Sequence, residues 1–199
     1  MEITLTDFVD FSLSTGSSRV VKVKEIKGRG KYDPAGDFWK GFRSGVVDLH
    51  RNGTMSAKAI DGIVAAQTNA TKSRRYADAA AGYKKFLGKK TYPWFPAPSN
   101  RWVQGPLEVK VNPELGLDVD GKKTITKLYF KNESPTRSRV QAVLAVMEVA
   151  LPFGSSSSFA VLDVANGRLM RPDGRWNKSD MQTLLIAEAG AFVDIWNRV

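Results

Sequence analysis

The amino-acid sequence predicts an α/β or α+β fold, in which a mostly antiparallel or mixed sheet is flanked by helices and preceded by a basic, mainly helical region. Three patterns carry the prediction. Apolar and charged residues alternate through 107–111 and again at Leu115, Leu117 and Val119, as a half-buried strand requires. A β-branched and aromatic run, residues 124–130, follows the turn dipeptide Asp120-Gly121. Two stretches, one after Ser134-Pro135-Thr136 and one after Ser179-Asp180, space their apolar residues by three and four. The order strand, strand, helix, strand, helix follows for residues 102–199.

The first half leans helical, with one exception. Val21 and Val23 alternate with Lys22 and Lys24 through residues 20–26, which predicts an edge strand whose lysines discourage strand addition, ended by Gly28-Arg29-Gly30. Over residues 37–49, Phe38, Phe42, Val46 and Leu49 share helical spacing, although Gly41 and Gly45 each cost about 1 kcal/mol relative to alanine. Residues 54–66 predict a helix with Ile60, Ile63 and Val64 inward. Residues 72–87 predict a basic amphipathic one with Tyr76, Ala79, Ala80, Tyr83 and Leu87 inward. Pro93, Pro96 and Pro98 preclude both a helix and a central strand, leaving an ordered connecting loop. The chain therefore divides into a basic, mainly helical region (1–90), a proline and aromatic loop (91–101) and the strand–helix region (102–199), or forms one domain throughout.

In the second half, Asp120-Gly121 suits the positive φ values of a tight hairpin turn, with Asp118 and Asp120 at one end of the strand pair. The helix that follows is expected to pack through one face, carrying Val140, Val143, Leu144, Met147 and Leu151. Phe153-Gly154 and the serines 155–158 predict a flexible loop. Residues 159–164 are nearly all apolar, as a central strand buried on both faces requires. Asn166-Gly167 turns the chain to residues 168–170. Ser179-Asp180 is expected to cap a last helix with Met181, Leu184, Leu185, Ala189, Phe192, Val193 and Trp196 on its apolar side.

Composition narrows the chemistry. An apolar fraction of 42% over 199 residues is enough for a sizeable core, and the absence of cysteine excludes disulfides, thiol catalysis and thiolate zinc sites. The N-terminus has no apolar signal region and the chain has no run of about 18 apolar residues, so a soluble cytoplasmic protein with no membrane partner is expected. The net charge of +10 favours a polyanionic partner, because phosphate neutralisation releases counterions. The cations concentrate in two runs: Arg19, Lys22, Lys24, Lys27, Arg29 and Lys31, then Lys72, Arg74, Arg75, Lys84, Lys85, Lys89 and Lys90.

His50 is the only histidine and falls at an expected helix end, where its cation would interact favourably with the helix dipole; a satisfied structural histidine is the default expectation. A serine–histidine triad lacks its Gly-x-Ser-x-Gly elbow, and neither a dinucleotide fingerprint nor a phosphate-cradling loop is present. Carboxylates remain. Glu114, Asp118, Asp120 and Asp163 lie in or near expected strands, where carboxylates with a lysine suit magnesium- or manganese-assisted attack on a phosphodiester.

A helix, a strand meander, a helix and a buried strand, with acids near the hairpin and Lys127 on the next strand, resembles the PD-(D/E)XK nuclease-like core over residues 76–169. The resemblance implies metal ligation by Asp118 and Asp120, and a charge-stabilising role for Lys127. Ile125 stands where the family's second acid belongs, and Glu108-Val109-Lys110 has the acid-x-lysine spacing without a preceding aspartate. The expected activity is thus nucleic-acid binding, with metal-dependent cleavage as its catalytic form. Arg74, Arg75, Lys84, Lys85, Lys89 and Lys90 are expected on the phosphate backbone, and Trp94 either on a base or, as is commoner for such an aromatic, covering a core edge. The alternative is a non-enzymatic interaction or accessory protein whose basic and aromatic surfaces take an acidic protein partner.

Overall fold

A computed structural model describes residues 1–30, 36–151, 157–172 and 177–199. It is an α+β fold built on two sheets. Five strands form the larger in the order β2 (Trp94–Phe95), β5 (Leu115–Val119), β6 (Lys122–Tyr129), β7 (Ser158–Asp163), β8 (Arg168–Met170), antiparallel except for the parallel pair β6–β7. Three strands form the smaller, β1 (Glu2–Thr4), β4 (Leu107–Val111) and β3 (Asn100–Gln104), with β1 parallel to β4.

Register assigns the faces of the larger sheet. Pairing of Leu115 with Thr126 and of Thr126 with Ala160 puts Leu115, Leu117, Leu128 and Leu162 on one face. That face buries Phe42 and Val46 of α3 (Lys40–Arg51), Ile60 of α4 (Ala57–Ala65) and Tyr76, Tyr83 and Leu87 of α5 (Ala70–Leu87). Ile125, Phe159 and Val161 face the other way, into α6 (Arg137–Ala150), with α1 (Leu5–Ser12), α2 (Ser17–Lys27), α7 (Lys178–Arg198) and the smaller sheet completing that core. Each core draws on residues from both sides of the 91–101 segment.

The α6 helix is not packed through one face, as its sequence suggested. It lies between the two sheets, and Val140, Ala142, Val143, Leu144, Ala145, Val146, Met147 and Ala150 are all buried. A helix with apolar contacts nearly all round is an interior helix, and its three-and-four pattern is only the densest stripe of them.

Residues 20–26 are corrected from strand to helix. They belong to α2, whose Val23 and Ile26 are buried three residues apart while Val21 is 55% exposed. Alternating valine and lysine over so few residues suits either period, and the core contacts of Val23 and Ile26 decide for the helix. Gly45 sits inside α3 because a Cβ there would stand 2.8 Å from Ile63 Cδ1 of α4, so the helix tolerates its lower propensity for the sake of close packing. The 91–101 segment includes the two-residue edge strand β2 and the first residues of β3. Asn177, rather than Ser179-Asp180, caps α7 by accepting from Asp180 N. Lys31, Phe153-Gly154 and the first two serines of the expected loop lie outside the described residues.

Candidate nucleic-acid interface and central pocket

Most described members of the first basic run are tied up in bonds within the molecule. Arg19 pairs with Glu188 of α7, Lys22 with Asp10, and Arg29 with the buried Asp7 at 3.0 Å. Lys27 donates to the carbonyls of Trp196 (2.9 Å) and Val199 (2.5 Å). These cations tie α2 to α1 and to the end of α7, which leaves Lys24 exposed and with neither an ion pair nor a hydrogen bond from its side chain among the described residues.

The second run is disposed differently. A helix places residues i and i+11 within about 20° of one another, so Arg74 and Lys85 lie on one outward stripe of α5, and Lys89 follows just past the helix end, where Gly88 at φ 55° breaks the helical path. All three are exposed, and among the described residues none makes a salt bridge. Asp78, Ala77 and Ala81 share that side. Arg75 donates to Asn132 Oδ1 at 2.7 Å, Lys84 to Asp61 at 2.6 Å, and Lys90 to Asp120 at 2.8 Å, all at exposed positions that leave further donors free. Hydrogen bonding and charge from Lys90 hold the Asp120 carboxyl below its usual range, and the same bond holds Lys90 above its own.

Trp94 packs against the α3–α5 core, half-buried, with the Arg51 guanidinium 5.6 Å from its ring centre. One ring face is therefore occupied. Trp39 is also closed to a base, since it stacks on Tyr76 (5.6 Å, 17°) and on Phe130 (4.7 Å, 18°).

The carboxylates expected around Lys127 are not gathered there. Asp118 stands opposite Lys123, four residues along β6 from Lys127, or about 13 Å at strand rise. Asp120 turns the hairpin beyond it, at φ 55°. The partner of Lys127 is Glu114, with Nζ to Oε1 at 2.6 Å, while Glu114 Oε2 accepts from Leu128 N at 2.8 Å. Asp163 is buried at the end of β7, accepting from Ser134 Oγ (2.9 Å) and Asn166 Nδ2 (2.9 Å). Among the described residues no three histidine or carboxylate side chains converge to hold a metal. A single carboxylate already bound to a lysine does not fit magnesium or manganese, which need several oxygen ligands.

His50 is a satisfied structural histidine, without the cationic role at a helix end. It is buried, its Nε2 lies 2.7 Å from Tyr83 Oη, and burial pushes its pKa down to about 4, so it is neutral and carries no charge for a helix dipole. Burial pushes the Tyr83 hydroxyl well above its ordinary value.

What the sequence did not reveal is a pocket of about 320 Å³ between α1, α3, β6, β7 and α6. Leu5, Val9, Val140, Val143 and Val161 give it apolar walls, while Arg43, Lys127, Lys131 and Arg139 supply cations. These residues come from elements far apart in the chain, so no spacing announces them. Asp10 anchors two of the cations, Arg139 at 2.5 Å and Lys131 at 2.7 Å; burial raises its pKa, and the two hydrogen bonds outweigh that and lower it.

Comparison of the chain with protein-family models, with curated proteins and with solved structures gives no match. Among the described residues, no helix is long and apolar enough to cross a membrane.

Proposed function

We propose that this protein binds nucleic acid through the outward face of α5, by contacts to the phosphate backbone. The observation that carries the reading is the contrast between the two basic runs: in the first, Arg19, Lys22 and Arg29 are held in ion pairs and Lys27 on backbone oxygens, whereas Arg74, Lys85 and Lys89 are exposed and without salt bridges among the described residues. Arg74 and Lys85 stand about 16 Å apart along the helix, enough to span several phosphates, with Lys89 beyond the helix end. Cleavage is not part of the proposal, because Lys127 has only Glu114 beside it and Asp118 and Asp120 stand at the other end of the strand pair.

The test is fluorescence anisotropy of labelled single-stranded RNA and double-stranded DNA at about 50 and about 200 mM salt, with wild type and with the triple variant Arg74→Glu, Lys85→Glu, Lys89→Glu. Binding that weakens steeply with salt, and a variant with both lower affinity and a shallower salt slope, is the expected result. Wild type that fails to bind at low salt overturns it. A protein partner captured after nuclease treatment, and released by the same triple variant, would assign the stripe to an acidic protein instead.

A further inference from the structure

The pocket behind Lys127 is separate from the α5 stripe, and its lining has two parts. Leu5 and Val9 of α1, Val140 and Val143 of α6 and Val161 of β7 form apolar walls, with Trp39 and Phe130 as aromatic ones. Around them stand four cations whose donors are only partly used. Among the described residues Arg43 gives one N–H to Asp37, Arg139 one to Asp10, and Lys131 one to Asp10, although a guanidinium carries five N–H donors and an ammonium three. Lys127 gives one donor to Glu114 and one to the Asn112 carbonyl. The four cations outnumber the carboxylates that hold them, Asp10, Asp37 and Glu114. The volume lies at the lower end of the range for small-molecule sites, and such sites are mostly apolar with a few converging polar groups.

We infer that this pocket binds a small aromatic anion, its ring among Leu5, Val9, Val140, Val143 and Val161 and its carboxylate or sulfonate on Arg43 and Arg139. A neutral apolar molecule would leave the guanidinium donors without an acceptor. A highly charged polyphosphate would forgo the apolar walls. The site is independent of the α5 face, and either can fail without the other.

The probe is 1-anilinonaphthalene-8-sulfonate, titrated into the full chain by calorimetry, with its uncharged relative N-phenyl-1-naphthylamine as comparison. Two variants report on the pocket. Thr6→Trp plugs the mouth from an exposed position on α1, and Arg43→Gln removes a cation at the rim. The expected result is one saturable site per chain, weakened about tenfold or more by either variant, with the neutral relative insensitive to Arg43→Gln. Thermal melts establish that both variants fold, and a nucleic-acid oligonucleotide should not displace the probe. Wild-type-like binding in Thr6→Trp, equal binding of the neutral relative, or absence of a saturable site overturns the inference. Displacement by oligonucleotide overturns the independence of the two sites.

Discussion

Lys127 and Glu114 form a closed unit at the start of the β5–β6 pair: the ammonium meets one carboxylate oxygen at 2.6 Å and the backbone N–H of Leu128 donates to the other at 2.8 Å. Their side chains are only 15% and 12% exposed. The pair pins the segment before β5 to the middle of the sheet and sets one wall of the pocket.

Removing one partner should therefore cost more than removing both charges. Lys127→Met leaves the Glu114 carboxylate shielded from water and short of one hydrogen bond, and should lower stability by about 3 kcal/mol. The double variant Glu114→Gln, Lys127→Met keeps an acceptor for Leu128 N and should recover most of that loss. Urea denaturation of the two variants and wild type measures the difference, and equal losses in both would refute the account.

His50 gives the protein an acid-side weakness. Its folded pKa is about 4 against 6.5 for an ordinary histidine, so the unfolded chain binds the proton first as pH falls. Its contribution is complete above pH 6.5 and is lost progressively below it, by about 2 kcal/mol between pH 6.5 and 5, above the range where most carboxylates titrate. His50→Gln should flatten the stability curve across that window, read by urea midpoints at half-unit pH steps.

Thr126 carries the opposite kind of lesson. Its side chain is fully buried on the sheet face toward α3–α5, and its hydroxyl has no hydrogen-bond partner among the described residues. Thr126→Val replaces that hydroxyl with a methyl of similar shape and should raise stability by about 1 kcal/mol. A drop in melting temperature instead would mean that the hydroxyl is satisfied.

On the α5 stripe, the salt dependence is the diagnostic quantity. Each lost phosphate contact lowers the slope of log affinity against log salt by about 0.7 to 0.9, so reversing Arg74, Lys85 and Lys89 should lower it by about 2 to 3. The spent cations of the first run make the control: Lys27→Gln should leave the slope unchanged while loosening the end of α7.

Much of the fold was legible in the residues. The β5–β6 hairpin follows from Asp120-Gly121 with alternating apolar positions on one side and a β-branched run on the other, and both residues do adopt positive φ, 55° and 80°. The start of α6 follows from Thr136, whose side chain accepts from Arg139 N, and the interior of β7 from its unbroken apolar run. The helices α3, α4 and α5 follow from spacing, with boundaries off by up to three residues.

Other elements were ambiguous locally. The valine and lysine alternation of 20–26 fits a strand and a helix equally, and only the burial of Val23 and Ile26 selects the helix. The short strands β1 and β3 carry too few residues for a period to show, and exist through their pairing with β4.

The sequence by itself determined the local elements whose signal is held within one turn of chain: the hairpin, the helix caps and the apolar periods. It also determined the charge excess of the protein and the absence of thiol chemistry. Tertiary structure decided which charges remain available and which carboxylate meets Lys127, because ion pairs form between residues as distant as Arg19 and Glu188 or Lys131 and Asp10. Strand register, with its two-residue period, decided the faces, and so placed Glu114 beside Lys127 while carrying Asp118 and Asp120 to the other end of the sheet.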